Sequence, residues 1–131
     1  SKSRIGTFAS GTVLTDGNWH KILENLDGIN AFEIIAHASG SANSGYYSIS
    51  HAIALSTFGS GSSSKIKNYQ NSNWSGYGFL GKLFNKKKVI RFRWTGTLHN
   101  YSLEVKTGKW PINPETNDFF KIHYNISKLI N

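Results

Sequence analysis

Three features of the sequence predict a mainly β fold: an antiparallel two-sheet β-sandwich, jelly-roll-like, with one short α-helix near the N-terminus. The first is a glycine-bounded run from Gly45 to Gly59 in which bulky and small residues alternate with a period of two. The second is a trio of later segments, 86–96, 100–107 and 119–127, that alternate apolar with polar residues as antiparallel strands with one wet face do. The third is that helical spacing of apolar residues occurs convincingly at one place.

Taken in order, residues 1–15, with Ile5, Thr7, Phe8, Val13 and Leu14, read as a short strand and a turn at Gly11. Asp16 then offers an N-cap to a helix whose apolar positions Trp19, Ile22, Leu23 and Leu26 follow helical spacing, and Gly28 offers its end. A helix of about three turns does not persist alone in water, so its apolar stripe must lie on a sheet, with His20, Lys21, Glu24 and Asn25 toward solvent. Residues 31–39 alternate again, with Phe32, Ile34, Ala36 and Ala38 on one face and Glu33, Ile35 and His37 on the other. Residues 40–45 have turn composition and join this strand to the 45–59 run as a hairpin.

In the 45–59 run Tyr47, Ile49, His51, Ile53 and Leu55 share one face, and Ser48, Ser50, Ala52, Ala54 and Ser56 share the other. The bulky face is expected to fill a core about 10 Å thick between two sheets, and the small face to let a helix, a loop or a second subunit lie close. His51 then reads as a neutral, hydrogen-bonded core histidine rather than a metal ligand or catalytic base. Glu33 and His37, on one face of their strand, read as a buried or interfacial hydrogen-bonded pair.

From 59 to 85 the chain is rich in Gly, Ser, Asn, Lys and aromatic residues. One short strand near 65–69 and a long loop carrying Trp74, Tyr77 and Phe79 are expected there, and such loops carry function more often than cores do. In the last three strands Ile90, Phe92, Trp94, Tyr101, Leu103, Val105, Phe120, Ile122, Tyr124 and Ile126 point inward. Residues 95–100 form a hairpin turn, which lets Arg91 or Arg93 face Glu104, a pair worth a few tenths to about 1 kcal/mol. Trp110 to Pro114 marks a fixed, non-helical connection.

The 131 residues are expected to form one domain, 1–131. The chain opens on Ser-Lys-Ser-Arg without a Met, so it is expected to be the C-terminal part of a longer protein. It has no apolar run long enough to span a membrane. With no cysteine, disulfides and thiol chemistry are excluded. A net charge of +8 points to an acidic partner, whether nucleic acid, anionic glycan or cell surface.

The seven acidic residues are scattered, and no two are placed as an acid and nucleophile. Gly59-Ser60-Gly61 is not a nucleophile elbow, and the five histidines lack zinc-site spacing. The domain is therefore read as non-enzymatic, with no metal and no cofactor. Lys82, Lys86, Lys87 and Lys88, with Lys65 and Lys67, invite a nucleic-acid reading, but no helix-turn-helix, zinc finger, OB or RRM signature accompanies them. A solvated strand end accounts for them equally well.

Glycan recognition needs a flat aromatic face beside amides and hydroxyls, and residues 68–77 offer both. Trp74 would be the main aromatic contact, with Tyr69, Asn71, Asn73 and Tyr77 around it. Trp74 and Tyr77 can equally fold inward as loop anchors.

Four blocks of the sequence, in order, resemble one family. They are Trp19 with Leu26-Asp27-Gly28 and Ala31-Phe32-Glu33; Gly45-Tyr46-Tyr47 with His51-Ala52-Ile53-Ala54 and Phe58; Ile90-Arg91-Phe92-Arg93-Trp94-Thr95-Gly96 with Tyr101, Leu103 and Thr107; and Ile122-His123-Tyr124-Asn125-Ile126 with Leu129. The resemblance, over residues 19–129, is to the receptor-binding or adhesin tip domains of phage tail fibres, contractile injection system fibres and related bacterial trimeric adhesive fibres. It implies a trimeric, receptor-binding β-sandwich at a fibre tip and carries over no ligand; joined with the composition of residues 68–77, the reading is a homotrimeric adhesion module, extracellular or on a cell or virion surface, that binds a surface glycan or other polymer. The chain departs from that pattern at Ile130, where an aromatic is expected, and in a longer, more basic 70–85 segment. A structural trimerisation cap without ligand and a basic nucleic-acid-binding domain are the alternatives.

Overall fold

The computed structural model describes residues 8–41, 45–59, 64–73, 88–97 and 99–130. Within them the chain forms eight strands: β1 (Ala9–Leu14), β2 (His20–Leu26), β3 (Asn30–Ser39), β4 (Tyr47–Ser56), β5 (Lys65–Asn73), β6 (Arg91–Thr97), β7 (Asn100–Lys106) and β8 (Lys121–Lys128). They make two antiparallel sheets, one of five strands in the order β1-β8-β3-β4-β5 and one of three in the order β2-β7-β6. The expected sandwich is present.

The core lies between the sheets. Phe32, Ile34, Ala36, Ala38, Ala54, Ile122 and Ile126 meet Ile22, Leu23, Trp94, Tyr101, Leu103 and Val105 from the other side. Trp94 stands edge-on to Tyr101, ring centres 5.5 Å apart. The Tyr101 hydroxyl, fully buried, donates to the Gly28 carbonyl at 2.7 Å and accepts from Asn30 Nδ2 at 2.6 Å, so the β2–β3 turn is tied to the small sheet. Trp110 seals one end: its N–H donates to the Thr15 carbonyl, and its ring packs 5.3 Å from that of Tyr46.

The helix expected near the N-terminus is absent from the described residues, and its place is taken by β2. Two register shifts against β7, between Lys21 and Leu23 and between Leu23 and Leu26, explain the misreading. Each bulge inserts a residue and breaks the period of two. As a result Ile22 and Leu23 are both buried, and Asn25, at φ 58°, turns the strand so that Leu26 comes back over the core. Consecutive buried residues followed by another three positions on imitate a helical stripe. Lys21, Glu24 and Asn25 do face solvent. Asp16 caps no helix; its carboxylate accepts from the Asn18 N–H at 3.0 Å and pairs with His20 Nε2 at 2.8 Å.

The 45–59 run is a strand, but its faces are reversed from expectation. Ser48, Ser50, Ala52, Ala54 and Ser56 are buried, whereas Ile49 and Leu55 are 46% and 47% exposed. The reason is volume. Across the core the small sheet presents Trp94, Tyr101 and Leu103, and β3 adds Phe32 and Ile34 at β4's flank, so β4 has room only for small side chains at native packing density. Trp94 reaches far enough over β4 for its indole N–H to face the Lys65 carbonyl of β5 at 3.4 Å.

The buried faces of β3, β6, β7 and β8 lie as their patterns predict, but β6 starts only at Arg91, and Gly11, expected at a turn, lies inside β1. On β3 the face with Phe32, Ile34, Ala36 and Ala38 is buried. The β6–β7 hairpin sets Arg93 opposite Glu104, with Arg93 Nε donating to Oε1 at 2.7 Å. Gly96 in that hairpin has φ 82°, and a Cβ there would lie 2.6 Å from the Asn100 carbonyl oxygen, so no other residue fits without strain. β5 runs to Asn73, beyond the short strand expected at 65–69.

Candidate functional site

The five-stranded sheet has an outer face that no described element of the chain covers. Alternation places Ser10 and Thr12 of β1, His123, Asn125 and Ser127 of β8, Glu33, Ile35 and His37 of β3, Tyr47, Ile49, His51, Ile53 and Leu55 of β4, and Lys65, Lys67 and Gln70 of β5 on it. This face divides into two halves.

The β3–β4 half is apolar. Ile35, Ile49 and Leu55 are each nearly half exposed, and Ile53 lies among them. His51 belongs to this half rather than to the core: its Nε2 meets Glu33 Oε2 at 2.7 Å, with the His side chain 39% exposed. The Glu33 partner is thus His51 on the neighbouring strand and not His37, four residues along its own.

The β1–β8–β3 half is polar and grooved. One groove of about 610 Å³ runs along Ser10, Thr12, Glu33, Ile35, Asn125 and Ser127, and a second of about 450 Å³ along Ser39, Asn113, Asp118 and Lys121. His37 and His123 line both. They are register partners on adjacent antiparallel strands, and their rings lie 5.3 Å apart at 15° to each other.

Of the residues expected to bind a ligand, Tyr69, Asn71 and Asn73 lie on β5, the edge strand, and Trp74 and Tyr77 lie outside the described residues, as do the side chains of Tyr69 and Asn73. Asn71 is exposed opposite Ser50. Between Gln70 and Asn68 the pairing with β4 slips at a bulge, which places Tyr69 at a break in the ladder. Asn68, Gln70, Asn71 and Ser72 are all exposed along this edge.

Among the described residues the basic cluster is not one surface. Lys82, Lys86 and Lys87 lie outside the described residues, and Lys88 is buried, its ammonium 5.4 Å from the centre of the Tyr46 ring. Burial pulls the Lys88 amine below the ordinary lysine range. Lys65 and Lys67 stand on the exposed β5 edge.

Among the described residues no group of three or more His, Cys, Asp or Glu side chains is placed to hold a metal ion, and no helix is long and apolar enough to cross a membrane. Missed in the sequence was the His37–His123 pairing. Each residue stands on the polar face of an alternating strand, but 86 positions separate them in sequence, and only the β3–β8 register brings them opposite.

No protein-family model and no curated protein matches the chain. Among solved structures, the crystal structure of the Acinetobacter phage vB_ApiP_P1 tailspike protein is similar over 91% of this chain at 9% identity, with a TM-score of 0.41. This chain spans 21% of the length of that tailspike chain. A likeness this distant carries no argument about the role of any residue.

Proposed function

We propose that this chain is a non-enzymatic receptor-binding module at the tip of a fibre, extracellular or on a cell or virion surface, that works as a homotrimer and binds a surface glycan or other anionic polymer. The observation that carries the reading is the β5 edge. It exposes Gln70 and Ser72 on the outer face with Lys65 and Lys67, exposes Asn68 and Asn71 on the opposite side of the strand, and leads directly into the segment with Trp74 and Tyr77. Amides and hydroxyls give directed hydrogen bonds to a sugar, an aromatic ring gives apolar contact area, and lysines favour acidic substituents.

The threefold contact is assigned to the apolar β3–β4 half of the outer sheet face, with a second copy of this chain as its occupant. Ile35, Ile49, Ile53 and Leu55 supply the apolar centre, and Glu33 on one flank with Lys65 and Lys67 on the other supplies opposite charges for a head-to-tail contact. The small face of β4, expected from sequence to admit a neighbour, is spent inside the core and is not available for this.

A glycan-array screen of the wild type beside Trp74→Ala and Asn71→Ala tests the binding claim. Both variants are expected to keep the wild-type melting temperature, and Trp74→Ala to lose about 2 kcal/mol or more of binding energy. A large fall in melting temperature for Trp74→Ala would make that residue a core anchor. No glycan binding by the wild type would favour the second reading, a trimerisation cap without ligand, which the exposed apolar face alone supports. Submicromolar binding to DNA or RNA that persists at physiological salt would overturn both.

A further inference from the structure

We propose that His37 and His123 form a two-ligand site for a late first-row transition ion, Cu²⁺, Ni²⁺ or Zn²⁺, on the polar half of the outer sheet face. The two residues are register partners across the β3–β8 ladder, so the backbone holds their Cβ atoms at a fixed spacing of about 4.5–5.5 Å. Two imidazoles on one tetrahedral ion, each nitrogen about 2.0–2.1 Å from it, have ring centres about 5 Å apart. The ring centres lie 5.3 Å apart, but at 15° to each other the rings are stacked, so both must turn to share an ion. The rings are exposed and can turn about their side-chain torsions to aim one nitrogen each at a common point, at no cost in core packing.

The surroundings leave such an ion open to further ligands. His37 and His123 stand where the two grooves meet, so the coordination positions they do not fill face solvent-filled space. Imidazole suits copper, nickel and zinc, whereas calcium and magnesium prefer oxygen donors, so the pair selects late transition ions. His51, the nearest other imidazole on this face, is engaged by Glu33 at 2.7 Å one row away, which keeps the site at two protein ligands.

The test is a Ni²⁺ titration of the intact chain by calorimetry, with substoichiometric Cu²⁺ broadening of the histidine ring signals by NMR as an independent readout. The wild type is expected to bind one Ni²⁺, and Cu²⁺ to broaden the His37 and His123 rings before those of His20, His51 and His99. Removing even a supporting contact to a metal ligand costs about 10–100-fold in affinity, so His37→Ala and His123→Ala are each expected to weaken Ni²⁺ by tenfold or more. His99→Ala is expected to change nothing. Ni²⁺ should also raise the melting temperature of the wild type and of neither pair variant, because an ion that binds only the folded pair stabilises it. Absence of saturable Ni²⁺ binding by the wild type would overturn the proposal, as would undiminished binding in either pair variant or first broadening at another histidine.

Discussion

On the outer face of the three-stranded sheet, Glu104 accepts from Arg93 at 2.7 Å and from the Thr95 hydroxyl at 3.2 Å, and the Arg93 guanidinium and Lys106 ammonium lie 4.3 and 5.2 Å from the centre of the Trp19 ring. On the outer face of the five-stranded sheet, Ile35, Ile49 and Leu55 are left 46, 46 and 47% exposed. Both faces come from strands that alternate with a period of two. One is finished within the chain: Glu104 is paired with Arg93, and the Trp19 ring serves as a platform for Arg93 and Lys106. The other is finished only if something covers it, since contiguous exposed apolar surface marks a contact site. An outer face is thus diagnosed by whether its side chains already have partners.

The largest expected effect separates the two sides of one strand. Phe32→Ala, in the core, should destabilise the fold by about 3–5 kcal/mol, whereas Ile35→Ser, on the outer face, should cost a dilute monomer almost nothing. Urea denaturation of both variants at low micromolar concentration makes the comparison. A cost of several kcal/mol for Ile35→Ser would show that the outer face is covered by the chain's own residues.

Gly96→Ala should cost more than about 1 kcal/mol, because the left-handed backbone and the Asn100 carbonyl both exclude a Cβ; the same denaturation experiment checks it. Glu104→Gln should cost about 1 kcal/mol or less, since Arg93 is itself 46% exposed and solvent screens the pair. That cost should shrink in high salt, and a cost independent of salt would mean that the neutral hydrogen bonds carry the contact.

The smallest effect concerns acid. Burial alone would raise the Asp16 pKa, but hydrogen bonds from the His20 ring and the Asn18 N–H, with the His20 charge, more than offset it and hold the carboxyl below its ordinary value. A lowered folded value means that Asp16 contributes stability above about pH 4, and that this contribution is lost as pH falls through the lowered folded value. In denaturation curves taken from pH 5 to pH 2, Asp16→Asn should flatten the fall. A variant with the wild-type slope would remove Asp16 from the acid response.

How much of this was legible in the sequence depended on how local the deciding contacts are. The β6–β7 hairpin was readable because its two strands are adjacent in sequence and both alternate, whereas only the register chose Arg93 over Arg91 as the Glu104 partner. The burial of Phe32, Ile34, Ala36 and Ala38 was readable because the opposite face of β3 holds Glu33 and His37. β4 carries apolar residues on its bulky face and only Ser and Ala on the other, so volume across the core decided which face turned in, and that volume comes from Trp94 and Tyr101, far along the chain. β2 was misread because two bulges put Ile22 and Leu23 on the same side. Of the candidate ligand residues, Asn71 was expected in a loop and lies instead on the exposed edge strand β5, and sequence could not pair His37 with His123, which meet only through the β3–β8 register.

The central proposal is that the apolar half of the five-stranded sheet is a contact between copies of this chain. Sedimentation equilibrium of the wild type and of Ile49→Glu/Leu55→Glu at tens of micromolar measures it directly. The wild type is expected to have a mass three times that of the 14.6 kDa chain, and the double variant to be a folded monomer. A wild type that sediments as a monomer, or a double variant that stays trimeric, would contradict it.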